Sequence, residues 1–400
     1  MGLNDTVSAQ RIHIGFFGMR NAGKSSLVNA VTNQELSVVS DVKGTTTDPV
    51  KKSMEILPLG PVLIIDTPGL DDEGELGEKR ISKARKILTQ SDIAVLAVDS
   101  AVGLRNEDER LIEEFKSRNL PYIIAYTKSD LISERKEIAS NEIYVSSTEG
   151  TGVNELKELI GSLCRDMNQE KHIASDLLCP NDIAVLVTPI DESAPKGRLI
   201  LPQQQVLREL LDAHCTAVLC QPEELSQILS MLNSKPKLVI TDSQVFEYVA
   251  GNLSDDIPLT SFSILFARYK GRLNTLVSGA KAIDSLKNGD KVLISEACTH
   301  HRQCNDIGTV KLPKWLEKYT GVKLEYSFTS GGDFPEDLKD YALVIHCGGC
   351  MINEREMNSR IDKAEIQGIP IVNYGVAIAH INGILKRSLL PLNISLDLDC

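Results

Sequence analysis

The first part of the chain alternates short apolar runs with stretches of helical periodicity. Five runs are predicted as strands: Ile12–Phe17, Val62–Asp66, Ile93–Asp99, Tyr122–Tyr126 and Glu142–Val145. Between them apolar residues recur every three to four positions, which predicts helices over Leu27–Val31, Leu76–Thr89, Glu107–Ser117 and Val153–Leu163. Strands that alternate with helices are typical of βαβ units, so we predict a mainly parallel sheet with right-handed crossovers.

The same alternation resumes after a polar stretch around residues 166–180, which predicts a linker. Further strands are predicted at Ile183–Val187, Ala217–Leu219, Lys237–Thr241, Lys291–Ser295, Lys323–Tyr326, Ala342–Ile345 and Pro370–Asn373. Helices are predicted at Leu201–Ala213, Pro222–Leu232, Leu312–Lys318 and Glu354–Ile366. We therefore predict an α/β protein of three domains, spanning residues 1–168, 169–260 and 261–400. The middle domain carries no recognisable chemistry, and packing or self-association is its default interpretation.

The composition is that of an ordinary globular protein, with 42% hydrophobic and 24% charged residues among 400. A net charge of −12 argues against a broad basic surface that binds nucleic acid, so no nucleic-acid partner is expected. No run approaches the roughly 20 apolar residues of a membrane span, and no secretory signal is evident. Nine cysteines without an export signal make disulfides unexpected. These features predict a cytoplasmic protein without a membrane partner.

The first predicted strand ends at a phosphate-binding loop, which reads Gly18-Met19-Arg20-Asn21-Ala22-Gly23-Lys24-Ser25. Its glycines let backbone N–H groups approach phosphate closely, and the helix that follows adds its positive N-terminal end. Lys24 is expected to reach the β- and γ-phosphates, and Ser25 to bind Mg2+. The expected nucleotide-binding residues of this loop are Gly18, Asn21, Ala22, Gly23, Lys24, Ser25 and Ser26.

Three further nucleotide motifs follow later strands in order. Asp66-Thr67-Pro68-Gly69 places a carboxylate for a Mg2+-bound water and a Gly69 N–H that senses the γ-phosphate. Thr127-Lys128-Ser129-Asp130 is typical of guanine recognition, because one carboxylate can accept both N1–H and N2–H of guanine. Ser146-Ser147 is expected to contact guanine O6 through the backbone. All four motifs lie where parallel sheets bind ligands, so the sequence predicts GTP.

The segment Gly44-Thr45-Thr46-Thr47-Asp48-Pro49 resembles the first switch of the Era and TrmE families of GTPases. That resemblance implies that Thr46 binds Mg2+ and that Asn21 binds an activating K+. Thr47 departs from the arginine that TrmE-like proteins usually carry. Lys24, Thr46, Asp66 and Gly69 are the expected catalytic residues. Leu70 stands where Ras-like enzymes have a glutamine that orients water, so intrinsic hydrolysis is expected to be slow or to depend on another group, such as K+ or the acidic run Asp71-Asp72-Glu73.

A second chemistry lies near the other end of the chain, in Cys298-Thr299-His300 and His346-Cys347-Gly348-Gly349-Cys350. If the two preceding strands are parallel neighbours, these half-sites meet at one sheet edge. Three cysteines and a histidine suit structural zinc, and three thiolates with a weak fourth ligand equally suit a 4Fe–4S cluster. Candidates for the fourth ligand are His300, His346 and Asp306. Cys347 and Cys350 alone would also fit a dithiol redox pair.

The order of GTPase, middle domain and C-x-H…H-C-x-x-C motif resembles the FeFe-hydrogenase maturation GTPase family. The segments 194–199, 259–263 and 297–301 also resemble it. The resemblance implies a homodimer with a dimerisation domain and a 4Fe–4S domain with an exchangeable iron position. It implies a scaffold that takes a diiron precursor from radical-SAM maturases and delivers it to apo FeFe-hydrogenase. GTP turnover would then regulate association with these partners.

An alternative is an Era- or TrmE-like GTPase of RNA or ribosome assembly with a structural zinc domain. The acidic net charge, the 4% aromatic content and the lack of a basic stripe count against it. The redox interpretation leaves Cys298-Thr299-His300 without a role, so it ranks last.

Overall fold

The computed structural model divides the chain into two compact units, residues 1–169 and residues 170–400, which are described separately. The structure describes residues 11–33, 50–56, 60–67, 84–167, 171–190, 199–297 and 306–394. Four residues of the predicted sites, Thr46, Gly69, Cys298 and His300, lie outside these ranges.

The first unit contains a sheet of six strands in the order β2-β3-β1-β4-β5-β6. The strands are β1 (Ile12–Gly18), β2 (Val50–Ile56), β3 (Gly60–Asp66), β4 (Ile93–Asp99), β5 (Tyr122–Thr127) and β6 (Glu142–Tyr144). The helices are α1 (Lys24–Thr32), α2 (84–90), α3 (Asn106–Ser117) and α4 (Val153–Met167). All pairings are parallel except that of β2 with β3, so the predicted mainly parallel sheet is confirmed. The antiparallel edge strand β2 was not predicted.

Helices cover both faces of this sheet, because its central strands are apolar at nearly every position. Successive residues of β1 point to opposite faces: Phe16 packs with α1 and α4, whereas Phe17 packs with α2 and α3. Both rings are fully buried. Parallel sheets are usually covered on both faces, whereas antiparallel sheets often leave one face in solvent. Burial on both faces explains why the strands of this unit are continuous apolar runs in the sequence.

The second unit contains two four-stranded parallel sheets, in the orders β10-β9-β7-β8 and β12-β11-β13-β14. The first has β7 (Ile183–Val187), β8 (Thr216–Cys220), β9 (Leu238–Thr241) and β10 (Leu259–Ser261). The second has β11 (Lys291–Glu296), β12 (Glu325–Ser330), β13 (Leu343–His346) and β14 (Ile371–Asn373). The helices are α5 (Leu201–Asp212), α6 (Leu225–Met231), α7 (Phe246–Gly251), α8 (Phe262–Tyr269), α9 (Leu273–Ala280), α10 (Leu312–Thr320), α11 (Glu354–Ile366), α12 (Tyr374–Ile381) and α13 (Leu385–Leu389).

One continuous hydrophobic core joins the two sheets of the second unit. The glycine of α9 shows how closely the layers pack: a Cβ at Gly279 would lie 2.0 Å from the carbonyl oxygen of Ile371 in β14. The predicted domain boundary between residues 260 and 261 falls within β10, and the three-domain division stays a prediction. None of the helices in the described ranges combines the length and the apolar composition that a membrane span requires.

Candidate functional site

The phosphate-binding loop lies between β1 and α1, as predicted from its glycines. Gly18 has a φ of +151°, and a Cβ there would lie 2.6 Å from the carbonyl oxygen of Ala97. Gly23, which precedes α1, has a φ of +75°. Residues other than glycine rarely adopt these backbone conformations, so the two glycines allow the chain to turn tightly at the end of the strand. Asn21, the expected K+ ligand, is exposed at the tip of the loop with a φ of +60°.

The structure brings together three predicted residues at the end of β3. The Lys24 ammonium donates to Asp66 Oδ1, and the Ser25 hydroxyl donates to Asp66 Oδ2 at 3.2 Å. Lys24 is 8% exposed and Asp66 is 7% exposed, so this charge pair is largely shielded from water. A buried carboxylate next to a hydroxyl offers the hard oxygen donors that Mg2+ prefers, and the lysine supplies the charge that phosphate needs.

Thr127 connects the guanine-recognition motif to the phosphate-binding loop. Its hydroxyl lies 2.6 Å from the carbonyl oxygen of Ala22 and 3.1 Å from that of Val98, and its side chain is buried. The next residue, Lys128, donates to Asp99 Oδ2 at 2.7 Å. Burial by itself would raise the pKa of Asp99, but the hydrogen bond and charge of Lys128 lower it below its usual value. No pattern along the chain indicated a role for Asp99.

The remaining guanine-motif residues lie at the ends of the neighbouring strands β5 and β6. Asp130 is exposed to solvent, which leaves its carboxylate accessible to a base. Ser129 N–H donates to the Val145 carbonyl at 3.2 Å, which fixes one loop to the other. Ser146 is buried, and its N–H donates to the Thr151 carbonyl at 2.9 Å; Ser147 is half-buried beside it. The residues of the predicted guanine motif therefore lie close to one another at one edge of the sheet.

A small cavity of about 50 Å³ lies between the phosphate-binding loop and the start of α3. Asp108 lines it and is 2% exposed. Its Oδ2 accepts a hydrogen bond from the Arg105 N–H at 3.0 Å, whereas Oδ1 has no hydrogen-bond partner within the described part of the chain. Burial raises the pKa of this carboxyl group. The sequence pattern indicates only the start of a helix at Asp108. The burial of this carboxyl group was not predictable from it, because it depends on the phosphate-binding loop on the other side of the cavity.

The second site forms where β11 and β13 lie side by side and parallel. Ser295 is paired with His346 in the register of these strands. As a result the Ala297 N–H lies 3.1 Å from Cys347 Sγ and donates to it. Cys298 follows Ala297 directly, so the chain that leads to the first half-site arrives next to the second half-site.

The Cys347-Gly348-Gly349-Cys350 loop turns tightly after β13, and Gly349 has a φ of +64°. Gly349 N–H also donates to Cys347 Sγ, at 3.4 Å. Burial raises the pKa of the Cys347 thiol to about 11 and raises that of Cys350 as well. Two N–H donors directed at one sulfur complement a thiolate, which is the form that binds a metal. Over the described ranges, no group of three or more His, Cys, Asp or Glu side chains is placed to hold a metal ion.

His346, a candidate fourth ligand, is fully buried with protein partners on both ring nitrogens. Its Nδ1 lies 2.7 Å from the Cys347 carbonyl oxygen, and its Nε2 lies 3.0 Å from an Arg360 nitrogen. Arginine only donates, so Nε2 accepts and the proton is on Nδ1. Burial, together with the charge of Arg360, lowers the pKa of His346 to about 3. If His346 bound a metal through Nε2, it would lose its hydrogen bond with Arg360. The identity of the fourth metal ligand stays a prediction.

Two buried polar residues near this loop, Lys270 and Glu296, were not indicated by the sequence pattern. Lys270 is 5% exposed and donates to the carbonyls of Gly349 and Ile352. Glu296 is 6% exposed and accepts a hydrogen bond from the Tyr374 hydroxyl at 3.2 Å. The candidate ligand Asp306 accepts from both Thr309 N and Thr309 Oγ1, at 2.8 and 2.9 Å, and so caps the following helical turn.

Comparison with protein families accounts for both units. A model described as the hydrogen maturase F dimerization domain matches residues 173–271, and one described as the hydrogen maturase F tetramerization domain matches residues 274–391. Together these two matches span more than half of the chain. The chain belongs to the hydrogen maturase F family. A model described as 50S ribosome-binding GTPase matches residues 13–128, which confirms the predicted GTPase domain.

The curated relatives of this hydrogen maturase F chain are GTPases that match a little over a third of its length. GTPase Der from Kosmotoga olearia is 32% identical over 164 residues, which covers 36% of this chain and 37% of that protein. The tRNA modification GTPase MnmE from Nitrosomonas europaea is 33% identical over 151 residues, covering 36% and 33%. The chain thus spans only about a third of the length of these relatives. A crystal structure of Aquifex aeolicus Era bound to GDP and AlF4- aligns with a TM-score of 0.36 and 19% identity, covering 52% of this chain and 92% of that one.

Proposed function

We propose that the protein is a GTP-hydrolysing hydrogenase maturation factor in which nucleotide turnover controls a thiolate metal site. The observation that carries this proposal is the loop Cys347-Gly348-Gly349-Cys350, here called the thiolate loop, which lies next to Ala297. It occurs in a chain that belongs to this family and also contains a GTPase unit. The family membership and the GTPase match support it. Neither a zinc-stabilised RNA-binding module nor a dithiol redox pair would account for both family matches of the second unit.

The nucleotide part of the proposal assigns each residue a role by its chemistry. The loop N–H groups and Lys24 bind the β- and γ-phosphates of GTP, and Asp130 accepts hydrogen bonds from guanine. Ser25 and Asp66 fit Mg2+, since their oxygens lie 3.2 Å apart at the end of β3; the ion would supply charge neutralisation at the phosphates. Thr46 and Gly69 are the proposed sensors of the γ-phosphate, and Asn21 the proposed K+ ligand.

For the metal part, Cys298, Cys347 and Cys350 are proposed to hold a 4Fe–4S cluster. The donor set fits, because Cys347 Sγ already accepts two N–H groups and a buried ammonium lies close by. The cluster would supply an iron position open to a bridging ligand. The fourth ligand is proposed among His300, His346 and Asp306. These residues would hold the cluster, and the backbone N–H groups of Ala297 and Gly349 would orient one thiolate.

The cargo and partners are proposed from the family resemblance. The protein would receive a diiron precursor from radical-SAM maturases and transfer it to apo FeFe-hydrogenase. The precursor would thus be a substrate of this protein and not its resident cofactor. The dimerization and tetramerization matches support an oligomer, of which the homodimer is the proposed unit. A cytoplasmic location is proposed with these partners. The alternative, RNA or ribosome assembly with structural zinc, is favoured only by the GTPase unit, whose relatives include a tRNA modification GTPase.

The test is anaerobic purification, reconstitution with iron and sulfide, metal analysis and EPR of the reduced protein. About four irons per chain with a reducible cluster would support the proposal. Cys347→Ser should lose the cluster, whereas Cys179→Ser, at an exposed cysteine away from the motif, should keep it. Stoichiometric zinc without any cluster would instead support the assembly GTPase.

The nucleotide part has its own test, because GTP hydrolysis can be measured without the cluster. Lys24→Ala should abolish hydrolysis. Asn21→Ala should lose stimulation by K+ and leave the rate in Na+ unchanged. Equal wild-type rates in K+ and Na+ would refute the role proposed for Asn21.

A further inference from the structure

Lys270 reaches the thiolate loop from a different part of the second unit. It follows α8 directly and lies within the segment matched by the dimerization model, residues 173–271. Its ammonium donates to the Gly349 carbonyl and, at 2.8 Å, to the Ile352 carbonyl. These two carbonyls flank Cys350 on either side, so one cation holds both ends of the turn that presents this thiol.

Burial of this lysine calls for a physical explanation, because lysines are rarely buried unless they are paired with an anion. Lys270 is 5% exposed, and both of its hydrogen bonds go to neutral carbonyl oxygens. Burial lowers its pKa to about 8; opposing that shift are Cys350 and Cys347, when they are ionised, and the carboxylates of Glu354 and Glu356. Metal binding converts thiols to thiolates, which are the anions that a buried ammonium at this position would face.

Ser263, in the first turn of α8, lies against the same loop. A Cβ at Gly348 would lie 3.6 Å from Ser263 Oγ, at the start of α8. The Ser263 hydroxyl oxygen accepts from Gly375 N–H at 3.2 Å and from Asn373 Nδ2 at 3.3 Å, which joins α8 to the end of β14. The loop from residue 348 to residue 352 thus lies along α8, with Ser263 near one end and Lys270 near the other.

We propose that Lys270 is the positioning residue of the thiolate loop: it fixes the turn around Cys350 and supplies positive charge toward the metal-bound thiolates. The metal site is then completed by the residue that follows α8 in the dimerization segment. The identity of the metal rests on the proposed function, but the role of Lys270 applies to any thiolate-bound divalent metal. Lys270 does not touch the metal in this proposal; it acts through the loop.

The experiment uses Co2+ as a probe, since thiolate ligation to Co2+ gives charge-transfer absorbance whatever the native metal is. The metal-free full chain is titrated anaerobically as wild type, Lys270→Met, Lys270→Arg and Lys287→Met; Lys287 is an exposed lysine of the same unit. Lys270→Met should weaken Co2+ binding at least tenfold, Lys270→Arg should restore most of it by keeping the charge, and Lys287→Met should match wild type.

Two further readouts separate positioning from general damage. In reconstituted protein the cluster of Lys270→Met should have a more negative reduction potential, because removal of a cation disfavours the added electron. If Lys270→Met loses its cooperative thermal transition, Lys270→Arg decides: near-wild-type Co2+ affinity supports the proposal, and a loss equal to that of methionine overturns it. Wild-type Co2+ affinity and potential in Lys270→Met would overturn it outright. A wild type that binds Co2+ through thiolates but forms no iron–sulfur cluster refutes the proposed cluster and leaves the Lys270 test intact.

Discussion

Removal of the Thr127 hydroxyl tests whether the guanine motif holds the phosphate-binding loop in place. Thr127→Val keeps the shape of the side chain but removes the donor that lies 2.6 Å from the Ala22 carbonyl. This site is 1% exposed, so water cannot replace the lost hydrogen bond. The substitution therefore leaves a buried acceptor without its partner, at the point where the loop enters α1.

The expected magnitude follows from that geometry. A buried polar group left without a partner costs about 1–3 kcal/mol, and about 2 kcal/mol corresponds to a roughly thirtyfold change in the folded-to-unfolded ratio. For a unit of this size, spanning residues 1–169, each kcal/mol lowers the Tm by about 2–4 °C. We therefore expect a loss of about 4–8 °C in the thermal transition of the GTPase unit. Guanine nucleotide affinity should fall as well, because the loop N–H groups are less firmly positioned.

The assay combines thermal unfolding with titration of a fluorescent GDP analogue. Thr127→Ser keeps the hydroxyl and should stay close to wild type in both measurements. Thr127→Asn offers an amide donor and should recover part of the loss. If the valine and serine variants have the same Tm and the same nucleotide affinity, the hydrogen bond to Ala22 does not hold the loop and the reasoning is refuted.

Three further predictions concern other sites. Asp130→Ala should remove the preference for GTP over ATP in competition binding, because the exposed carboxylate is the group expected to pair with guanine; retained selectivity would contradict that role. Gly279→Ala should destabilise the second unit by about 1–3 kcal/mol in denaturant unfolding, because its Cβ would meet the Ile371 carbonyl, whereas the adjacent, exposed Ser278→Ala should have little effect. Asp108→Asn should raise the Tm at neutral pH, because burial raises the pKa of Asp108 in the folded state and so penalises its ionised form. That gain should disappear as the pH falls through the raised pKa toward the unfolded value, since the wild-type carboxyl is then protonated too; a gain independent of pH would argue against it.

The placement of the nucleotide motifs at the ends of strands was largely predictable because their signals are local in the sequence. Gly18 and Gly23 occupy backbone conformations that favour glycine, and the residues between them follow directly along the chain. The other motifs come at the ends of apolar strands, and parallel strands bring their carboxyl ends to one edge. The antiparallel strand β2 was missed because it is an edge strand with only three apolar residues, Val50, Met54 and Ile56, whose alternation is interrupted by Lys52.

The sequence by itself determined the α/β class, the placement of the nucleotide motifs and the thiolate loop after β13. Periodicity and glycine conformations encode these features within a few residues. Only the tertiary structure decided which distant side chains surround each site: Lys270 is 79 residues from Gly349, and Thr127 is 105 residues from Ala22. Such contacts depend on which helix packs against which sheet edge, and that choice minimises exposed apolar area over a whole unit. No local pattern records it, which is why the buried cation beside the thiols became visible only in the fold.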